Sequence, residues 1–201
     1  MYDATAASYA NMMQTEITQP MYATVLGGLY ERLQGVAGDL VDTSCGSGDM
    51  LAMYHHQYDL QRPIIGLDLA PQMVAMCRKQ IGAYGHAKCG DMRSLTSIEA
   101  HSVAGIISFF AIHHLDAAGL KTALKEWHQA LASGGQLVIA AWEGQGTIDY
   151  GGAADIVALR YQADEIVQLV KQAGFSNINW VVESVEGVLM DAVHLTASKG
   201  V

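Results

Sequence analysis

Charge is scarce in this chain. Only 15% of its 201 residues are Asp, Glu, Lys or Arg, and the 11 basic residues are outnumbered by 20 acidic ones, for a formal net charge of −9. Nucleic-acid affinity rests largely on Lys and Arg neutralising phosphates, and no basic run is present, so DNA and RNA are not expected partners. A small neutral or cationic substrate suits this balance better. Cysteine is also sparse: Cys45, Cys77 and Cys89 are odd in number and form no CxxC pair. They read as thiols of a reducing compartment, which excludes a disulfide framework and makes the cytoplasm the expected location. The first residues, MYDATAASYANMMQTEI, carry neither a basic segment nor a long apolar one, so a signal peptide is not expected. The longest apolar stretch, around Val103–Ile112, is too short to span a bilayer, so membrane insertion is not expected. What is abundant is apolar surface. At 51% hydrophobic residues and 21.5 kDa, the chain is expected to bury the core of one domain.

Periodicity places the elements. Residues 4–34 are predicted to form two helical segments separated near Gln19-Pro20, where the proline opens the second. Short apolar runs then alternate with amphipathic segments: strands at Asp39–Thr43, Pro63–Asp68, His86–Cys89, Val103–Phe110 and Gln136–Trp142; helices at Asp49–Tyr58, Ala70–Gly82 and Ala117–Ala132. That alternation implies a parallel sheet covered on both faces. After a glycine-rich loop, Glu143–Gly152, come a helix at Ala163–Ala173 and two strand-like runs, Phe175–Ser184 and Val188–Ala197. The link at Glu186-Gly187 is too short for a parallel crossover, so an antiparallel hairpin is expected.

The first strand runs into Ser44-Cys45-Gly46-Ser47-Gly48. A dinucleotide turn would place a third glycine where Leu51 stands, and a P-loop would need a lysine, absent from residues 46–51. The turn permits close backbone approach but lacks both phosphate signatures. Asp68 ends the second strand, where an acid can accept both ribose hydroxyls, and Asp91 follows the third, where an acceptor can meet an adenine amino group. Either acid can instead cap the helix after its strand. In a doubly wound sheet all three features fall at the carboxyl ends of the strands, where ligands bind.

These segments, in this order, resemble class I S-adenosylmethionine-dependent methyltransferases. Val41–Gly48 is similar to the family's first motif, Gly66–Met73 to its second-strand segment and Gly90-Asp91-Met92 to its adenine-contacting segment. Ser108–Asp116, Leu131–Ile139 and residues 163–175 are similar to the type 11/25 branch that includes quinone-biosynthesis methyltransferases. One departure stands out: Ser44 occupies the place of the usual first glycine, tolerable only while its φ stays negative. The resemblance implies a Rossmann-like doubly wound α/β fold. Its seven-stranded sheet would have order 3-2-1-4-5-7-6, the last strand antiparallel, with helices on both faces. It further implies an N-terminal helical lid over 1–34, a cofactor-binding core over 39–141, and a substrate loop, helix and hairpin over 142–201.

Carried over residue by residue, the resemblance places Asp42, Thr43, Ser44, Cys45, Gly46 and Gly48 around the methionyl part of S-adenosylmethionine. Asp68 would hold the ribose, Leu69 and Met73 would pack by the adenine, and Asp91 with the Met92 amide would read its edge. Ordinary core packing is the alternative for Leu69 and Met73. Phe110 would bring a carbonyl to the cofactor's amino group, and Tyr9 of the lid would meet its carboxylate or else simply dock the lid. Tyr2 and Met12–Met13 share that helix. His113 and His114 lie nearest the transferring methyl, either as general base or as packing and turn-capping residues beside Asp116. His55-His56 sits in a helix whose neighbours diverge, so no metal site is expected. The loop after the fifth strand, with Trp142, Glu143, Tyr150 and its glycines, is short for a substrate module. The pocket would then be small and lidded, or completed by a second subunit of a homodimer. The expected reaction is methyl transfer to a small molecule, leaving S-adenosylhomocysteine. The alternatives are other chemistry with the same cofactor, such as a cyclase or lyase, and a non-catalytic binding protein. A dehydrogenase comes last.

Overall fold

The computed structural model describes residues 2–148, 158–185 and 189–200, with side chains from residue 6 onward. Two helices, α1 (Tyr2–Glu16) and α2 (Pro20–Arg32), precede the sheet, and Pro20 occupies the first turn of α2 as its fixed φ favours. The alternating part follows: β1 (Asp39–Asp42), α3 (Asp49–Gln57), β2 (Ile64–Asp68), α4 (Pro71–Ile81), β3 (Gly85–Cys89), β4 (Val103–Phe109), α5 (Ala117–Ala130) and β5 (Leu131–Trp142). Helix α6 (Ala163–Gln172) leads into β6 (Phe175–Ser184) and β7 (Asp191–Lys199). The seven strands line up as β3-β2-β1-β4-β5-β7-β6, with β7 antiparallel to both its neighbours, as expected.

Alternation along each strand sorts two cores. Leu40, Ile107 and Val138 face α2, α3 and α4 through Leu26, Leu29, Leu51, Tyr54, Val74 and Ile81. Val41, Ile106, Leu137, Ile139, Val193 and Leu195 face α5 and α6 through Leu120, Leu124, Trp127, Ile166 and Val170. Each fully buried large side chain contributes about 1.5–3 kcal/mol, so the sheet is anchored from both sides. Local signals set the helix starts: the Asp116 carboxylate accepts the Gly119 amide at 2.7 Å, and Gln162 with Glu165 forms a reciprocal cap on α6.

Several boundaries differ from the sequence reading: α5 ends at Ala130 rather than Ala132, and β7 spans Asp191–Lys199 rather than Val188–Ala197. Strand β5 begins at Leu131 rather than Gln136, because Leu131 pairs with Val103 before a register shift absorbs the intervening residues. The loop after β5 is partly ordered by pairing: Glu143 bridges Tyr161, Thr147 bridges Leu159, and the Leu159 amide donates to the His113 carbonyl at 2.8 Å. Tyr150, Gly151, Gly152 and the Glu186-Gly187 link lie outside the described residues. Among the described residues no helix is long and apolar enough to cross a membrane.

Trp127 joins this core to the segment after β3. Fully buried, it donates its indole N–H to the Met92 carbonyl at 2.9 Å. Trp127→Phe keeps most of the packing but strands that buried carbonyl. It is expected to lower unfolding free energy by about 1–3 kcal/mol in urea denaturation; an unchanged midpoint would deny the bond that role.

Candidate functional site

The strands β1, β2, β3 and β4 all run the same way, so their ends gather on one edge of the sheet. The turn after β1 is stitched to both neighbours of that strand. Thr43 gives its amide to the Ile107 carbonyl of β4 at 3.1 Å, and Cys45 gives its own to the Leu67 carbonyl of β2 at 2.7 Å. The Gly46 amide then donates to the Asp68 carboxylate at 2.9 Å. Gly46 and Gly48 take φ values of +50° and +94°, which a side chain rarely adopts. Ser44 keeps a negative φ, so its Cβ brings no backbone strain. Its hydroxyl is buried without a hydrogen-bond partner among the described residues and sits in the wall of a cleft.

That cleft is lined by Tyr9 and Met13 of α1, Tyr22 of α2, Asp42, Ser44 and Met50 below, and Phe109 and Phe110 at the end of β4. Helix α1 packs against α4 and lays the Tyr9 ring over the turn, 3.2 Å from where a Cβ on Gly46 would stand. Tyr22 donates to Glu16 at 3.1 Å, which fixes the join between α1 and α2. Asp49, missed in the sequence reading, also borders the cleft; it accepts from Ser47 and, at 2.8 Å, from Gln80. An acid at the first position of a helix was the available signal.

The carboxylates differ in environment. Asp42 is 2% exposed and accepts the Ser44 amide at 3.0 Å. Burial raises its pKa to about 7; the Ser44 bond opposes this and the neighbouring Asp68 charge adds to it. Asp68 is also raised by burial, against hydrogen bonds from Ala70 and Gly46 and the nearby charge of His114. Asp91 behaves oppositely. Arg93 grips both its oxygens, with a 2.6 Å contact from Nη2, and holds its pKa below the usual carboxylate range. That ion pair was not foreseen, although an arginine two residues on was visible in the chain. Beside Asp68, Leu69 is 68% exposed, whereas Met73 is 1% exposed and packs inside. Met92 is buried, its carbonyl taken by Trp127.

At the end of β4, Phe110 has φ +47°, an unusual left-handed conformation for an aromatic residue. Its amide is held by the Ala140 carbonyl at 2.7 Å and its ring lies 4.6 Å from that of Trp142. His113 and His114 follow in a short 3-10 turn, ring centroids 3.9 Å apart. They are not equivalent. His113 is 2% exposed, and burial together with the His114 charge lowers its pKa to about 3, so it is neutral throughout the physiological range. His114 is partly exposed and stands within the field of Asp68. His55 and His56 lie apart, packed on Tyr84. Among the described residues, no group of three or more His, Cys, Asp or Glu is placed to hold a metal ion.

The raised pKa of Asp42 has a signed consequence. Its folded value, about 7, exceeds the ordinary 3.8, so folding favours the protonated acid. The associated stability is present below about pH 4 and is lost as pH rises towards 7. Asp42→Asn removes the ionisation, so its melting temperature relative to wild type should climb between pH 4 and pH 7 and then level off. A difference that stays flat across that range would show Asp42 to be ionised at an ordinary pKa.

Comparison with known proteins agrees with this geometry. Residues 40–135 match the family described as methyltransferase domain. No curated protein matches the chain in sequence. Among solved structures, geranyl diphosphate C-methyltransferase from Streptomyces coelicolor, in complex with Mg2+, geranyl diphosphate and S-adenosyl-L-homocysteine, superposes with a TM-score of 0.68 at 14% identity, covering 88% of this chain and 78% of that one. The [4+2]-cyclase SpnF gives 0.70 at 17% identity, covering 89% and 81%. Haemonchus contortus phosphoethanolamine N-methyltransferase 2, in complex with S-adenosyl-L-methionine, gives 0.69 at 13% identity, covering 89% of this chain and 53% of that one. Residues 40–135 are therefore similar to a methyltransferase domain, and the chain shares the Rossmann-like fold of these solved structures, with its seven-stranded sheet in the order β3-β2-β1-β4-β5-β7-β6.

Proposed function

We propose that this protein transfers a methyl group from S-adenosylmethionine to a small-molecule acceptor, with S-adenosylhomocysteine as product. The observation that carries the reading is the Asp68 carboxylate, bonded to the Gly46 amide at the end of β2. One oxygen accepts from Gly46 and the other from Ala70, so each retains a lone pair for one of two vicinal ribose hydroxyls. The residues around it suit the rest of such a ligand. Exposed Leu69 offers an apolar face for a base, and Asp91, though gripped by Arg93, remains an acceptor at the adenine end. The Ser44 hydroxyl, without a partner among the described residues, has a donor to give to a carboxylate, and Tyr9 lines the cleft above the turn. Asp42 would receive an ammonium group, whose charge would drive it to the ionised form. The bound cofactors named for the Streptomyces coelicolor and Haemonchus contortus enzymes support this choice of ligand, and the geranyl diphosphate of the former supports a small acceptor.

When bound, the cofactor would supply an electrophilic methyl on a sulfonium, so the protein's task is chiefly alignment of the acceptor. His114 is assigned as the general base for a hydroxyl or amine acceptor, because it is the accessible member of the pair and stands near the Asp68 carboxylate. His113, neutral and enclosed, supports it from beneath.

Calorimetry with S-adenosylhomocysteine tests the first half of the proposal. Asp68→Ala should weaken binding by about 1–3 kcal/mol, and an unchanged affinity would remove Asp68 from the site. If neither cofactor form bound the wild type at millimolar concentration, the proposal would fall. His114→Ala should leave that affinity intact and slow turnover by about 100-fold or more; full turnover would exclude it as a base. A second reading, cofactor chemistry other than methyl transfer, is favoured by the likeness to SpnF, a cyclase on the same fold. Release of methylthioadenosine in place of S-adenosylhomocysteine would select one branch of it, a lyase.

A further inference from the structure

Beyond the cleft, β7 carries a buried histidine. His194 is 7% exposed, and among the described residues neither of its ring nitrogens has a hydrogen-bond partner. Leaving a buried polar group unpaired is costly, and a histidine kept for packing alone gains nothing over an apolar ring of similar size. Burial lowers its pKa, so the ring is neutral and presents one N–H donor and one bare acceptor nitrogen.

Register connects this ring to the cleft. Phe109 pairs with Ala140, and Ala140 pairs with His194, so the three side chains form one row on one face of the sheet. Phe109 at one end of the row lines the cleft, and its ring lies 6.0 Å from that of Tyr22. Ala140 in the middle contributes only a methyl group, leaving the row low between the two rings. Phe110 borders both sides: it lines the cleft, and its ring stands edge-on to His194 with centroids 6.5 Å apart. The left-handed backbone of Phe110 puts that ring there, an arrangement of the kind that concentrates at binding sites.

We infer that His194 is a specificity-determining residue of the acceptor subsite. It recognises a neutral hydroxyl or amine head on an apolar body that lies along Phe109 and displaces the Phe110 ring. The cleft walls of Tyr22, Met13 and the two phenylalanines suit the body, and the neutral imidazole suits a head that both donates and accepts. This rests on the proposed function only in naming the occupant an acceptor.

Phenol and toluene, alike in shape but differing by a hydroxyl in place of a methyl, are the probes, titrated by NMR into wild type and His194→Phe in the presence of S-adenosylhomocysteine. The ratio of phenol to toluene affinity should fall about tenfold in the variant while toluene binding stays within about twofold. Should the variant not fold, 15N shifts of the His194 ring in the wild type decide: phenol should move them and toluene should not. An unchanged ratio, or ring shifts indifferent to phenol, overturns the inference. Calorimetry of S-adenosylhomocysteine on the wild type reads the cofactor proposal separately, since His194 touches none of the residues assigned to its adenosyl part.

Discussion

One hydrogen bond organises this site: the Gly46 amide to the Asp68 carboxylate. It joins the turn after β1 to the end of β2, and so makes two strand ends into one surface. Gly46 can offer its amide there because its φ is +50°; a side chain would strain the backbone and meet the Tyr9 ring. The bond also keeps the acid in place although burial disfavours its charge. From that junction the other parts take their positions: Leu69 just beyond, the cleft on the far side of the turn, and α1 over the top.

Burial then assigns different tasks to like residues. Asp42 and Asp91 are both aspartates at strand ends, yet one is enclosed and shifted up while the other is held charged by Arg93. His113 and His114 are adjacent in sequence, yet only one keeps access to solvent. A buried acid near neutrality responds strongly to an incoming cation, whereas an acid already paired to a guanidinium does not. The enclosed end of the site is thus electrostatically adaptable and the adenine end is preset.

Much of this was legible from residue order. The switch between short apolar runs and amphipathic helices showed the parallel sheet, because buried parallel strands need no polar alternation. Hairpin β6–β7 followed from a link too short to cross over. The glycine turn and Asp68 were visible because their spacing reflects one local βαβ unit. What stayed hidden depends on contacts distant in sequence. Trp127 finds the Met92 carbonyl across 35 residues, Gln80 finds Asp49 across 31, and His194 reaches the cleft only through two strand registers. The early start of β5 was hidden because Leu131 and Ala132 continue the helical pattern of α5, yet they lie with Gly134-Gly135 inside the strand. Local propensity lost there to pairing with β4.

Gly66 shows how tightly the turn is built from below. A Cβ at that position would stand 2.8 Å from the Cys45 sulfur and 3.0 Å from that of Cys77, and one on Gly48 would stand 2.8 Å from Cys77. The floor of the turn is therefore a fixed volume shared by two glycines and two thiols. Such a shared volume couples the evolutionary fate of three positions in β2, α4 and the turn, while the left-handed backbone at Gly48 keeps that residue glycine. Lineages that enlarge residue 66 must shrink residues 45 and 77 in step, so these three sites should drift as a group and not singly.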